Sequence, residues 1–265
     1  MLKTTFGADK PIIAMVHLPP LPGTPLHDAK AGMAKILDSA AADIEALQGG
    51  GVDAVMFGNE GDRPYLTKAS PATLAAMAFA VGQLKSLIKV PFGVNYLWDP
   101  VASVALGVAA GAGFVREIFT GVYDSDMGLW VPDAFSALKQ RSDAGRHDMK
   151  VMYNINAEFA SPVGSRSIGQ RAKSAVFAAL ADVVLVSGPM TGEEVELGNL
   201  KEAKKAVPGT PVFANTGVNI DNVGKILTEG DGAIVGTHFK IGGDTWKNVD
   251  GDRVKRFMDK VRKVR

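Results

Sequence analysis

The chain has 265 residues, of which 46% are hydrophobic and 22% are charged, and its formal net charge is +1. This composition can bury a large core, and the near balance of charge gives no electrostatic case for a nucleic-acid partner or a membrane surface. The absence of cysteine excludes disulfides, thiolate metal sites and cysteine nucleophiles. The first residues lack the apolar segment of a signal peptide, and no apolar stretch is long enough to cross a bilayer. We therefore expect a soluble, cytoplasmic protein that does not insert into membranes.

Eight short apolar runs recur along the chain, and a helical pattern follows each of them. The runs are continuous rather than alternating, as expected of parallel strands that are covered on both faces. In chain order, the predicted strands span residues 12–16, 54–57, 92–96, 114–118, 150–155, 183–186, 212–214 and 232–235. This strict alternation predicts a single (β/α)₈ barrel domain over residues 1–265. A doubly wound open sheet is the alternative architecture.

Local signals mark where several of the helices begin and end. Ser70-Pro71 supplies an N-cap and a first-turn proline, Pro132 can begin another helix, and Gly49-Gly50-Gly51 can end the first one. The predicted helices span residues 33–48, 72–88, 101–110, 133–142, 168–181, 197–206, 220–228 and 253–264.

Polar residues follow all eight predicted strands, at the end where a barrel carries its functional face. The last three of these loops each place a glycine directly after the strand, beside serine or threonine. Such loops let backbone N–H groups and helix N-termini converge on an anion, although tight turns alone could also explain the glycines. The residues predicted to bind a phosphorylated ligand here are Ser187, Gly188, Asn215, Gly217, Gly236 and Thr237.

A histidine at the end of the first strand is a candidate for proton transfer. His17 precedes a stiff proline-rich loop, and imidazole titrates near neutrality, so His17 is a candidate general acid or base. The alternative is a histidine that is hydrogen-bonded to the backbone.

Three glutamates follow the second, fourth and fifth strands, at Glu60, Glu117 and Glu158. Carboxylates from neighbouring strands could pair a raised-pKa acid with an ionised base, or hold a divalent metal. We predict that Glu60 and Glu117 are catalytic together with the histidine. The alternative is that Arg63 and Arg116 neutralise these carboxylates in structural ion pairs.

Further residues at the strand ends are candidate ligand contacts, namely Asn95, Arg116, Asn154, Asn156 and Lys240. Lys240 comes too late to be a Schiff-base lysine inside the barrel, and the sixth strand contains no lysine. We therefore interpret Lys240 as a phosphate or carboxylate partner, or else as a solvated surface residue. Trp98 and Trp130 could stack on a sugar or base, or pack a lid against the barrel. Asp124 and Asp126 fall in the long loop after the fourth strand, where exposure to solvent is expected.

The segment PIIAMVHLPPLPG at residues 11–23 resembles the opening motif of the BtpA family. That family includes a photosystem I biogenesis factor and SgcQ-like proteins encoded among sugar-uptake genes. Further similarities lie at residues 50–53, 59–60, 90–91, 95, 116, 120–121, 126, 128, 187–188, 191–192, 211–213, 231–232 and 240. The resemblance implies a phosphate-binding barrel. Related sequences tend to carry an Asp and a Lys-His pair after the fifth strand, where this chain has residues 154–159, NINAEF.

These observations favour an enzyme that acts on a phosphorylated sugar or nucleoside-derived metabolite as an isomerase, epimerase or lyase. The alternatives are a non-catalytic assembly factor of the BtpA type and a metal-dependent hydrolase. No cofactor is indicated beyond a possible divalent metal. We expect a small phosphorylated ligand and a homo-oligomer.

Overall fold

The computed structural model describes residues 1–265, and eight of its strands form a closed parallel barrel. The strands are β1 (Ile12–His17), β2 (Ala54–Gly58), β3 (Phe92–Asn95), β4 (Phe114–Glu117), β5 (Tyr123–Ser125), β6 (Gly128–Trp130), β7 (Lys150–Asn154), β8 (Ala160–Pro162), β9 (Val183–Val186), β10 (Val212–Ala214) and β11 (Gly232–Val235). Around the barrel the order is β1, β2, β3, β4, β7, β9, β10 and β11, and β11 pairs again with β1. The predicted barrel is therefore confirmed, and the open sheet is wrong.

Helices follow the barrel strands and pack around them. The α-helices are α1 (Leu2–Phe6), α2 (Gly32–Gly50), α3 (Pro71–Leu84), α4 (Pro100–Ala110), α5 (Ala134–Asp143), α6 (Ile168–Phe177), α7 (Leu197–Ala206), α8 (Val223–Glu229) and α9 (Gly251–Val264). The predicted caps explain several boundaries: Ser70 accepts from the Thr73 N–H at 3.2 Å, and Gly51 ends α2 with a left-handed φ of 86°. No helix combines the length and apolarity needed to cross a bilayer.

Two elements were not predicted from the sequence. The short helix α1 brings Phe6 against the apolar interior of the barrel, with its ring centroid 5.1 Å from that of Phe114 and 6.1 Å from that of Phe213. The strands β5, β6 and β8 form a separate antiparallel sheet from the loops after β4 and β7. Asp124 lies in this sheet rather than in an irregular loop, although it is exposed as expected. This small sheet places a lid over the functional end of the barrel.

The barrel interior is filled by apolar side chains, and its packing leaves no room for a side chain at Gly93. A Cβ atom at Gly93 would lie 2.2 Å from the ring of Phe114, which is buried on the neighbouring strand. In contrast, a Cβ atom at Gly113 would approach no atom closer than the Phe92 carbonyl oxygen at 3.7 Å. The two glycines therefore form a matched pair for testing the interior packing.

We expect Gly93→Ala to lower the free energy of unfolding by about 1–3 kcal/mol, because overpacking displaces the Phe114 ring. Gly113→Ala should change it by no more than about 0.5 kcal/mol. Urea denaturation followed by circular dichroism measures both variants. Equal stability of the two would contradict the packing described here.

Candidate active site at the C-terminal end of the barrel

A polar layer lies above the apolar interior, at the C-terminal ends of the barrel strands. Side chains two residues apart on a strand share one face, so the residue two positions after each interior residue belongs to this layer. Phe114 and Phe213 belong to the buried interior cluster, and Arg116 and Asn215 follow them two residues later. The same spacing applies on the other strands. The resulting layer at the strand ends contains His17, Gly58, Asn95, Arg116, Asn154, Ser187, Asn215 and Gly236. The alternation that builds the core therefore also builds a polar floor for a ligand.

The guanidinium of Arg116 connects this layer across the barrel. Its Nε donates to Asn95 Oδ1 at 2.9 Å, and its Nη1 donates to Asn215 Oδ1 at 3.1 Å. Its Nη2 lies 3.8 Å from Oε1 of Glu60. Arg116 is buried, so its charge acts on these partners with little screening by solvent. Part of the predicted ion-pair alternative is thus present, as a contact between Arg116 and Glu60.

Glu117 is a buried carboxyl group held by two donors. Its Oε1 accepts from Asn95 Nδ2 at 2.8 Å, and its Oε2 accepts from the Ile118 N–H at 2.5 Å. Burial raises the pKa of Glu117 to about 8, although both hydrogen bonds and the Arg116 charge oppose the shift. Glu117 therefore keeps its proton at neutral pH and can act as an acid.

Glu60 and His17 lie side by side, with Glu60 Oε1 at 3.5 Å from His17 Nε2. Burial raises the pKa of Glu60 to about 7, against the opposing charge of Arg116. Burial and the nearby charges of Lys240 and Arg116 lower the pKa of His17 well below its ordinary value. At neutral pH, His17 is therefore neutral while Glu60 can both accept and release a proton.

Glycines on both sides fix the position of Glu60. A Cβ atom at Gly58 would lie 2.4 Å from Oε2 of Glu60, so the carboxyl group can fold back over the strand end only because Gly58 has no side chain. A Cβ atom at Gly61 would lie 2.6 Å from the backbone nitrogen of Pro20. The proline-rich loop after β1 thus packs directly on the loop that carries Glu60.

The third glutamate, Glu158, is engaged by side chains of the protein. It accepts hydrogen bonds from Thr191 Oγ1 at 2.9 Å, Ser187 Oγ at 3.3 Å and Asn215 Nδ2 at 3.4 Å. Burial raises its pKa. No group of three or more His, Asp or Glu side chains is arranged to hold a metal ion. The donor geometry therefore contradicts a metal site built from the three glutamates.

The alternative in which Arg63 pairs with the glutamates is wrong. The Arg63 guanidinium stacks on the ring of Trp246, with its central carbon 3.5 Å from the ring centroid. It forms no salt bridge with Glu60 or Glu117. A planar cation gains from stacking on an indole face, and this places Arg63 at the outer edge of the site.

Three adjoining cavities cross the barrel mouth. An inner cavity of about 30 Å³ is lined by Glu60, Tyr65, Asn95, Leu97, Trp98, Arg116, Glu117, Ile118, Asn154, Glu158, Phe159, Thr191 and Asn215. A middle cavity of about 220 Å³ shares Thr191 and Asn215 with it and also reaches His17. An outer cavity of about 690 Å³ continues from His17 toward Lys240 and Trp246. A ligand can therefore extend from the buried carboxyl groups outward past His17.

The middle cavity has the chemistry of an anion site. Its lining contains no carboxylate, and the backbone N–H groups of Gly217 and Gly236 donate to no other group of the protein. The lining also includes Arg253 from α9, whose Nε donates to the His238 carbonyl at 2.7 Å. That bond orients the guanidinium and leaves its Nη1 and Nη2 without a hydrogen bond to the protein. Arg253 was not predicted from the sequence, because it lies in the first turn of a helix, 18 positions after the end of β11, rather than in a strand-end loop.

Two predicted anion contacts need correction. The Gly188 N–H donates to Thr216 Oγ1 at 2.5 Å, so it is not free to bind a phosphate. Gly188 packs closely on the backbone of Glu193, where a Cβ atom would lie 2.4 Å from the carbonyl oxygen. Ser187 lines none of the three cavities, because its hydroxyl donates to Glu158 and accepts from Asn215 Nδ2. The polar groups of both residues are therefore bound within the protein, and they stabilise the loops around the site.

Of the loop asparagines and Lys240, one residue lines a cavity and the others are bound to groups of the protein. Asn154 lines the inner cavity, whereas the side chain of Asn156 is held by the backbone of Ser187 at 2.6 and 2.9 Å. Lys240 is fully buried, and its Nζ donates to Asp43 Oδ2 at 2.6 Å, so a solvated lysine is wrong. It is a carboxylate partner, but the carboxylate belongs to α2 of the same chain. Thr237 remains on the wall of the middle cavity, with its hydroxyl 2.8 Å from that of Thr245.

The two tryptophans form part of the lid. Their ring centroids lie 5.2 Å apart in an edge-to-face arrangement, and both are buried with Tyr123 in one apolar cluster. The lid interpretation of Trp98 and Trp130 is therefore the one that the packing supports. Trp98 also lines the inner cavity.

Comparison with known proteins identifies the family. The BtpA family model matches residues 8–263, so the chain belongs to the BtpA family. It is 48% identical to the sgc region protein SgcQ of Escherichia coli over 264 residues, which cover 100% of this chain and 98% of that protein. It is 31% identical to the photosystem I biogenesis protein BtpA of Synechocystis, over 96% of this chain and 89% of that protein.

Similar solved structures share the barrel at low sequence identity. Phosphoribosyl anthranilate isomerase from Thermus thermophilus has a TM-score of 0.58 at 12% identity, over 96% of this chain and 100% of that one. KGPDC from Streptococcus mutans has a TM-score of 0.57 at 13% identity, over 97% and 99% of the two chains. At these identities the similarity establishes the fold alone.

The raised pKa of Glu117 predicts a specific pH dependence of stability. Its pKa is about 8 in the folded protein against an ordinary value of 4.5, so the folded state holds a proton that the unfolded state loses over this interval. The contribution of the protonated Glu117 to the free energy of unfolding is fully present below about pH 4.5 and is lost progressively as the pH rises toward 8. Wild-type protein should therefore lose about 1.4 kcal/mol of stability per pH unit relative to Glu117→Gln within this window.

Urea denaturation at several pH values from 5 to 8 provides the measurement. The quantity compared is the slope of stability against pH, because Glu117→Gln also disturbs one hydrogen bond at every pH. Glu45→Gln, at an exposed position of α2, is the control and should keep the wild-type slope. Parallel pH profiles for wild type and Glu117→Gln would show that Glu117 is ionised across this range.

Proposed function

We propose that the protein is an enzyme that acts on a small phosphorylated metabolite, a sugar phosphate or a nucleoside-derived phosphate, as an isomerase, epimerase or lyase. One observation carries this proposal: a single polar cleft joins a carboxylate-free cavity suited to phosphate to an inner cavity with proton-retaining carboxyl groups. The proposal also includes the expected homo-oligomeric state of the chain.

The phosphate would occupy the middle cavity. Backbone N–H groups of Gly217 and Gly236 would donate to its oxygens, and the Arg253 guanidinium would supply the compensating charge. Phosphate groups bind well to such sites, since charged hydrogen bonds are stronger than neutral ones. The absence of carboxylates from this lining removes the main source of repulsion.

The proton-transfer step would take place beyond Asn215, at the inner cavity. Glu60, with a pKa of about 7, would remove a proton from carbon or oxygen, and Glu117, with a pKa of about 8, would donate one. Neutral His17 would hydrogen-bond to the ligand between the two cavities. Arg116 would stabilise negative charge that develops on the ligand oxygen, and Asn95 would hold the guanidinium in place.

A non-catalytic assembly role is the second candidate, in line with the name of the Synechocystis relative. The observation that favours it is a group of exposed apolar side chains on and beside the lid sheet. These residues are Leu129, Val131, Phe135 and Val163, which are 59–77% exposed. Such a patch could contact another protein. A chain that binds no phosphorylated ligand in the tests below would favour this second candidate.

Arg253→Gln should weaken the binding of inorganic phosphate by about 10–100-fold, because it removes a charge-assisted contact. Isothermal titration calorimetry at pH 7 measures the affinity. Arg262→Gln is the matched control, since it removes the same charge from an exposed position nine residues later on α9. If Arg253→Gln binds phosphate as the wild type does, the anion is held elsewhere.

Glu60→Gln keeps the shape of the side chain but removes the ionisable carboxyl group. Turnover should fall by about 10²–10⁴-fold, while affinity for inorganic phosphate stays unchanged. A screen of sugar phosphates in D₂O by proton NMR would find the substrate, because proton transfer at carbon introduces deuterium. If Glu60→Gln and Glu117→Gln both exchange protons at the wild-type rate, the glutamates are structural.

A further inference from the structure

Two unpartnered polar atoms belong to residues that line the inner cavity. Only five buried side-chain nitrogen or oxygen atoms in the protein lack a hydrogen-bond partner, and Trp98 Nε1 and Glu60 Oε2 are two of them. A buried group without a partner costs folding free energy, so such atoms are uncommon in folded proteins. Their coincidence at one small cavity points to a ligand that completes them.

The Trp98 indole is fixed in place by its neighbours. Its ring packs edge-to-face against Tyr65, Trp130 and Phe159, with centroid distances of 5.8, 5.2 and 6.5 Å. Trp98 is only 3% exposed, so its N–H cannot turn toward bulk solvent. The lid therefore fixes a residue of the cavity lining whose N–H has no hydrogen-bond partner in the protein.

Two of the three amide groups at this wall are already engaged. Asn95 donates to the Arg116 carbonyl and to Glu117, and Asn215 donates to Ser187 Oγ and Glu158. The indole N–H, the free oxygen of Glu60 and Asn154 Nδ2, which donates to no group of the protein, are thus left to recognise a ligand. The two nitrogens are donors, and the Glu60 oxygen accepts when ionised or donates when protonated.

The size of the inner cavity limits what can enter. Its volume of about 30 Å³ exceeds the roughly 10–15 Å³ needed for one water molecule, but it cannot hold a ring or a phosphate group. One carbon-bound oxygen fits this space. A hydroxyl group would satisfy an ionised Glu60 together with Trp98, and a carbonyl oxygen would satisfy a protonated Glu60 together with Trp98.

We infer that the inner cavity is a subsite for one hydroxyl or carbonyl oxygen of the ligand, bound by Trp98 Nε1 and Glu60 Oε2. This inference rests on the proposed function, because it assumes that the phosphate of the same ligand lies in the middle cavity. It narrows the ligand class to phosphate esters that also carry a hydroxyl or carbonyl group. In this site Trp98 is a specificity-determining residue as well as a lid residue.

A matched set of phosphate esters tests the subsite by calorimetry. Inorganic phosphate is compared with glycerol 3-phosphate, erythritol 4-phosphate and ribitol 5-phosphate, and each polyol phosphate is compared with the alkyl phosphate of equal carbon number. At least one polyol phosphate should bind more tightly than its alkyl counterpart. Trp98→Phe should weaken that polyol phosphate by about 3–10-fold and leave inorganic phosphate unchanged. Trp130→Phe, which alters the same aromatic cluster away from the cavity, should bind both as the wild type does.

The outcomes separate this inference from the proposed function. If phosphate and all esters fail to bind, both fall together. If phosphate binds but polyol and alkyl esters bind equally, or Trp98→Phe has no effect, only the subsite is overturned. Equal affinities for the polyol and alkyl esters would mean that a water molecule, and not the ligand, occupies the inner cavity.

A second measurement does not depend on the folding of Trp98→Phe. The chain has three tryptophans, so ¹⁵N-labelled indole groups give three NMR signals, which Trp130→Phe and Trp246→Phe assign. The Trp98 indole proton should move on addition of the polyol phosphate and exchange more slowly with solvent. An unmoved Trp98 signal at saturating ligand would overturn the inference.

Discussion

The charge of one buried arginine sets the chemistry of the barrel mouth. Taking charged groups out of water costs several kcal/mol each, and only close opposite charges offset this cost. Arg116 is the guanidinium at the centre of the layer, whereas three glutamates surround it. Lys240 offsets the charge of Glu60 less than Arg116 does, and its own hydrogen bond goes to Asp43. The carboxyl groups therefore remain partly uncompensated, and their pKa values are raised into or toward the neutral range.

The lid affects the pKa values of the buried glutamates through desolvation. Burial is the largest cause of the raised pKa at Glu60, Glu117 and Glu158 alike. The lid tryptophans Trp98 and Trp130 are buried above this layer and exclude water from it. An open barrel mouth would return the glutamates toward their ordinary pKa values, which lie well below neutrality. The small sheet thus helps to keep the pKa values of the glutamates raised, although its own strands carry none of them.

The sequence predicted the barrel well because parallel strands buried on both faces leave a plain signal. Three predicted strands, including residues 183–186, have the observed bounds, and the others differ by one residue. Strand-end positions such as His17 and Asn95 followed directly from that register. The rest depended on contacts between distant residues: Arg253 reaches the cleft from a helix, and the Gly188 N–H is taken by Thr216. The short strands β5, β6 and β8 have too few apolar residues to show a period.

The separation of charges along the cleft would orient a phosphorylated ligand before any specific contact forms. Two like charges 8 Å apart repel by about 2 kcal/mol at an effective dielectric constant of 20. A phosphate would therefore avoid the glutamates and settle near Arg253, where the cavity lining has no carboxylate. The uncharged end would then point toward Glu60. Retention of a proton by Glu117 matters here as well, because it lowers the negative charge that the bound phosphate must tolerate. The same incomplete compensation that raises the pKa values of the glutamates would thus permit an anionic ligand to lie beside them.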